Sequence, residues 1–240
     1  GDGAGQMTLA EIFAPVRRAE WLFWAIALAA MVLFLYPADE SFFIRYLVGV
    51  MSAEEMQYQS YLWHHLMVLL VFLLPLLLMP RLGIAPRGLS LFQPGDWRRG
   101  WRWTLLACAV VTLPTWVSSS DPQFQAEYPL AMHAFSSPAL LSLFLFSYVL
   151  YYIGWEAFFR GFIGYGLIGL GYAPFLALMV QVALSTIIHI GKPQMELIGA
   201  IPGGILMGVL AYRCRSLLWP LLFHIYVGFI NTAFCWMQRT

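Results

Sequence analysis

Tyr61–Met79, YLWHHLMVLLVFLLPLLLM, runs for nineteen residues without an Asp, Glu, Lys or Arg. The hydrocarbon core of a bilayer is about 30 Å thick and takes about 20 predominantly apolar helical residues to cross. This stretch therefore reads as a membrane span. Similar runs, bounded by charges or proline, recur on both sides of it. They extend from Trp21 to Tyr36, Trp103 to Val117, Pro138 past Trp155, Pro174 to Ile190, Leu197 to Tyr212 and Leu217 to Trp236. The pattern predicts an all-α, polytopic integral membrane bundle of about seven transmembrane helices, within a range of six to eight.

The composition of the 240 residues points the same way: 61% are hydrophobic and 10% charged, and the mean hydropathy is +0.73. Soluble domains carry roughly a quarter charged residues, so this chain lacks the polar surface to cover a globule in water. With a net charge of +1 and scattered basic residues, nothing suggests a nucleic-acid partner, and none is expected. Cys108, Cys214 and Cys235 have no paired spacing and no neighbouring His, and read as small packing residues. The first apolar run has no small-residue cleavage site before Pro37, so no cleavable signal peptide is expected.

Arginine sets the expected orientation. Arg17 and Arg18 precede the first span, Arg81, Arg87, Arg98, Arg99 and Arg102 crowd the second connection, and Arg213 and Arg215 follow the sixth span. The intervening connections carry Asp39, Glu40, Glu54 and Glu55, then Asp121 and Glu127. The positive-inside rule makes the N-terminus and the Arg-rich loops cytoplasmic. The expected setting is a bacterial cell (inner) membrane. Residues 1–20 form an N-terminal cytoplasmic segment, with an amphipathic entry helix around Thr8 to Glu20. Residues 21–240 form one transmembrane domain, with the candidate site within 148–231.

That site is marked by ionisable residues where lipid would otherwise be. Each such group costs about 2.5–3.5 kcal/mol on insertion scales, so it needs a partner or a task. Glu156 and Arg160 lie four apart on one helix face and can pair. The pair is either a neutralised structural contact or a carboxylate held ionised to take a proton from water. His189 ends the fifth span, and Gly191-Lys192-Pro193 then breaks the helix. Broken backbone at membrane depth is tolerated where it lines a buried or watery cavity, which places Lys192 and Glu196 at that cavity. His224 lies inside the seventh span, and Asn231 follows seven residues on, near the same face. His64 and His65 are adjacent and point to different faces; with His133 they read as structural. No metal-ligand spacing is present, and no metal or cofactor is expected.

At these residues the chain resembles the CPBP family, the CAAX-protease and bacteriocin-processing group of intramembrane proteases. That family carries Glu-Glu-x-x-x-Arg on one helix, Phe-x-x-x-His on the next and a later His-x-x-x-Asn or Asp. Further similarity runs through Gly95 to Gly100, Asp121 to Phe124, Tyr128-Pro129, His189 to Pro193 with Glu196, and Gly199 to Arg213. The sequence departs from the motifs at three positions. Trp155 stands where the first Glu is expected, Ser185 where the Phe is expected, and Gly228 where Asn or Asp is expected, leaving Asn231 as a displaced substitute.

The resemblance implies hydrolysis of a peptide bond in a membrane-associated substrate by water activated by Glu and His, with no metal. Mapped residue by residue, it makes Glu156 and His189 the candidate base pair, Arg160 the partner of Glu156, and His224 with Asn231 the oxyanion site. All are expected to face one cavity. The naive layout puts Glu156 towards the cytoplasm and His189 towards the other side, so they meet only if the fourth helix runs deep or the fifth ends early. Two other readings stay open. One is a catalytically degenerate homologue acting as a structural or assembly subunit of a membrane protein complex. The other is a module binding a lipid, quinone or pigment among its aromatics, which make up 17% of residues.

Overall fold

The structure, a computed structural model, describes residues 17–47, 49–84 and 93–239. The part of the expected entry helix over residues 8–16 lies outside the described residues, as does Arg87. Helix α1 spans Arg18–Leu35 and α3 spans Ala53–Leu78, with the short α2, Glu40–Tyr46, between them. Helix α4 is Trp97–Ser118, and the short α5 is Pro122–Glu127. Helix α6 runs over Pro138–Gly169. Helices α7 (Pro174–Ile188), α8 (Gln194–Cys214) and α9 (Leu218–Arg239) complete the bundle. Among the described residues there is no β-strand.

Five helices, α1, α3, α6, α8 and α9, are long and apolar enough to cross a membrane. The intervals expected for the third and fifth spans are filled by α4 and α7. Helix α4 begins with Arg98, Arg99 and Arg102, which lower its hydropathy. Helix α7 has 15 residues, about 22 Å at 1.5 Å per residue. Leu28, Val32, Leu105, Val110 and Leu113 are exposed on the outside of the bundle, as lipid solvation requires. The chain is a multi-pass membrane helical bundle.

Local chemistry fixes the helix starts. Ser52 and Glu55 form a reciprocal capping box at α3, with Glu55 N–H donating to Ser52 Oγ over 3.2 Å and Ser52 N–H to Glu55 Oε2 over 3.1 Å. Asp96, Asp121 and Ser137 cap α4, α5 and α6 through their side-chain oxygens. The indole of Trp219 donates to Pro94 O over 2.6 Å, tying the start of α9 to the approach of α4.

The core is the seam between α3 and α6, closed on one side by α1. Phe34 stacks on Phe72 at 5.1 Å and Phe72 on Phe158 at 4.3 Å. The seam closes tightly at Gly154, where a Cβ would come 2.7 Å from Val68 O and 2.8 Å from Leu69 Cα. Only glycine lets α6 lie against the α3 backbone there. Just past this contact α6 widens into a π-helix over Ala157–Tyr165, then returns to α geometry at Gly166–Gly169. Such segments are rare and collect at functional sites. This one begins at the residue after Glu156 and contains Arg160.

Gly154→Ala forces α3 and α6 apart and should destabilise the protein by about 1–3 kcal/mol, as overpacking does. Thermal unfolding in detergent checks it against Gly203→Ala. A Cβ at Gly203 meets only the end of the Met207 side chain, at 3.9 Å, and the control should change stability little.

Candidate active site

Trp155 and Glu156 are consecutive on α6, so their side chains leave the helix about 100° apart. The structure sends them into different surroundings. Trp155 faces a cavity of about 480 Å³ lined by residues of all nine helices, α1 to α9. Its ring meets the His189 ring edge-on at 5.5 Å and the His224 ring edge-on at 6.2 Å. Glu156 is 1% exposed and faces a smaller apolar space of about 200 Å³ beside Leu73, Leu77, Leu217 and Leu221.

A carboxylate in such a place needs partners, and two helices supply them. His224 on α9 lies with Nδ1 2.7 Å from Glu156 Oε1. Arg160, one turn along α6 and itself 1% exposed, brings Nε to 3.3 Å from Glu156 Oε2. This contact is an ion pair by distance but is not aligned as a hydrogen bond, and Arg160 Nη1 also has no hydrogen-bond partner. Arg160 lines the large cavity. The buried charges therefore neutralise one another while part of the guanidinium keeps unused donors.

His189 closes α7. Its Nδ1–H donates to Ser185 O over 2.7 Å, which leaves Nε2 as the acceptor nitrogen. The chain turns at Gly191, whose φ of +96° suits only glycine, and Pro193 starts α8. This short return places Glu196, in the first turn of α8, with Oε1 4.0 Å from His189 Nε2. Glu196 Oε2 accepts a hydrogen bond from the Tyr128 hydroxyl at 2.9 Å. Burial pushes that hydroxyl well above tyrosine's ordinary range, so it stays a donor. Lys192 turns instead to Glu127, with Nζ 2.5 Å from Oε1.

On the opposite wall, the Tyr152 ring packs 4.4 Å from that of His224. A Cβ at Gly228 would collide with the Tyr152 hydroxyl. Tyrosine oxygen thus fills the space into which a side chain at 228 would project. Asn231 lines the cavity, its Oδ1 accepting from Cys235 Sγ–H at 3.7 Å.

Arg160, His189, His224 and Asn231 therefore share one cavity. Glu156 does not line it: it stands behind His224 and pairs with that ring, where the sequence mapping paired it with His189. The cause is the single-residue step, because the cavity-facing position belongs to Trp155. The depth problem resolves from both ends, since α6 continues 13 residues past Glu156 and α7 is short. His64 and His65, read as structural, bond to Ala38 O at 2.7 Å and Ser147 Oγ at 2.9 Å, yet both also line the cavity. Tyr128, Tyr152 and Trp155 were not foreseen as wall residues. Gly228 amid bulky residues was the signal that could have pointed to Tyr152. Among the described residues, no group of three or more His, Cys, Asp and Glu side chains could share a metal ion.

Residues 129–230 match the family model of the type II CAAX prenyl endopeptidase Rce1-like proteins. The match is consistent with the CPBP resemblance and supports an intramembrane peptidase-type function. It takes in Glu156, Arg160, His189, His224 and Gly228 and stops one residue before Asn231. No curated protein and no solved structure matches the chain.

Arg160→Met strands Glu156 in an apolar space and should cost about 3–5 kcal/mol of stability, as loss of one partner of a buried pair does. Adding Glu156→Gln removes the stranded charge and should restore most of that loss. A double-mutant cycle on unfolding midpoints measures the coupling.

Proposed function

We propose that the chain is an intramembrane peptidase of the CPBP type, hydrolysing a peptide bond of a membrane-associated substrate within the 480 Å³ cavity. The observation that carries this reading is the paired tethering of His189 and His224. Each ring has Nδ1 held at 2.7 Å by a protein acceptor, Ser185 O or Glu156 Oε1, and each lines the same cavity. Tethering fixes tautomer and orientation, and leaves both Nε2 atoms for chemistry.

In this mechanism His189 Nε2 accepts a hydrogen from the attacking water. The water oxygen adds to the peptide carbonyl carbon, and the carbonyl electron pair moves onto oxygen. When His224 carries both ring protons, Glu156 holds its Nδ1–H and its Nε2–H donates to that oxyanion, with Asn231 and Tyr152 lining the same cavity. Preorganised donors of this kind are each worth about 10²–10³ in rate. Collapse breaks the C–N bond, and the leaving amine takes the proton removed from water. Glu156 acts as a positioning residue behind His224, and Arg160 stands beside it as its ion-pair partner.

A second reading has its own support. The indole of Trp155 at the place of a motif Glu, and Gly228 at the place of a motif Asn or Asp, favour a catalytically degenerate homologue serving as an assembly subunit of a membrane complex. Cleavage of a membrane-peptide library by purified protein decides between the two. The peptidase reading expects turnover by the wild type. Glu156→Gln, which removes the carboxylate orienting His224, should lower it by at least about 10²-fold, and His224→Ala by about 10²–10³-fold, in protein that remains inserted and folded. Absence of cleavage by the wild type across the library overturns the peptidase reading.

The arginine distribution supports a cytoplasmic N-terminus, and the proposed setting is a bacterial inner membrane. Cysteines at the exposed positions Arg81 and Ser120 report it. In a background with Cys108 replaced by Ser, an impermeant thiol reagent should label position 81 only from the cytoplasmic side and position 120 only from the opposite side. Reversed labelling inverts the topology.

A further inference from the structure

A carboxylate beside the attacking water gives its protons a second acceptor besides the imidazole of His189, and Trp155 fills the position where the motif would have put one. Three carboxylates line the cavity among the described residues: Asp39, Glu40 and Glu196. Asp39 is occupied capping α2, where it accepts from Ser41 N–H at 2.9 Å. Glu40 lies 3.8 Å from His64 Nδ1, on the α2 and α3 side. Glu196 alone among the three stands beside one of the two tethered histidines.

We propose that Glu196 is the catalytic base of this site, acting with His189 on one shared water and replacing, from a different helix, the carboxylate that Trp155 displaces. The proposal rests on the peptidase reading. Its geometric basis is the 4.0 Å separation of Glu196 Oε1 from His189 Nε2, too long for a direct hydrogen bond and suited to a bridge. A water at about 2.8 Å from each atom subtends about 90° between them, close to its own bond angle. Both of its hydrogens then point at acceptors, because Nδ1–H of His189 is committed to Ser185 O. Its lone pairs face the cavity.

The second Glu196 oxygen is held by Tyr128, which fixes the plane of the carboxylate as the Ser185 contact fixes the ring. The competing positive charge, Lys192, is drawn off to Glu127. In the reaction Glu196 Oε1 takes one proton from water as the C–O bond forms, and returns it to the amine nitrogen as the C–N bond breaks. The carboxylate is regenerated, and the sum is peptide plus water giving acid plus amine.

Glu196→Gln keeps the length of the side chain and an oxygen for Tyr128, but removes the proton acceptor. With the wild type cleaving, Glu196→Gln should lower kcat by at least about 10²-fold with KM changed less than about threefold. Tyr128→Phe, which removes only the orienting bond, should cost about tenfold or less. Wild-type rates in Glu196→Gln overturn the assignment and leave the peptidase reading standing. No cleavage by the wild type overturns both. Where the Gln variant does not fold, Glu196→Ala assayed with and without formate decides the matter: restored turnover supports a base at 196, and no restoration overturns it.

Discussion

A carboxylate held almost wholly out of solvent governs this molecule. Glu156 faces leucine on one side, and an unpaired charge there would cost several kcal/mol. The fold answers with Arg160 from the same helix and His224 from α9. Those two contacts determine much else: α9 must approach α6 closely, His224 must present Nδ1 inward and Nε2 to the cavity, and Arg160 must share the Glu156 face through a π-helical stretch. The Gly154 contact keeps this stretch in register with α3. A single electrostatic requirement thus joins helices that the apolar packing alone would leave free to slide.

The spans were legible because lipid permits little else: runs of apolar residues this long have one common solution. The Glu156–Arg160 pair was legible from spacing, since four residues return to the same helix face. The partner of Glu156 was not. Whether a carboxylate or the indole beside it faces the cavity depends on the rotation of α6 about its axis, and that rotation is set by Gly154 against Val68 and Leu69, 86 and 85 positions earlier in the chain. Helices α2 and α5, of seven and six residues, are too short to show a period; only their Asp caps, and Pro122 after Asp121, mark them. The π-helix has no sequence signature that distinguishes it from the apolar helix around it.

The departures from the family motifs make more sense in space than in line. Gly228 and Tyr152 form one packing unit, because the hydroxyl needs the volume that a Cβ would take. Trp155 and Glu196 are linked by function under the proposed mechanism: the indole packs beside His189 from α6, and a carboxylate stands beside the same ring on α8. A substitution that looks like the loss of a motif residue can therefore be half of an exchange whose other half lies on a different helix. Motif matching along the chain sees only the first half.

Helix α7 carries a consequence for the membrane itself. At about 22 Å it packs against α6 and α8, both longer, and Phe175, Leu176 and Ile187 on it are exposed on the outside of the bundle. Lipids against this face meet a hydrophobic mismatch, which a bilayer relieves by local thinning at a cost of fractions of a kcal/mol per Å. Headgroups and their water then dip towards the end of α7, where His189 and Glu196 sit. Bilayer thickness becomes a control variable in its own right: a thick, ordered membrane resists the dip, and a thin, fluid one accommodates it. The lipid composition around the protein would thus set how readily water reaches the cavity, without any moving gate.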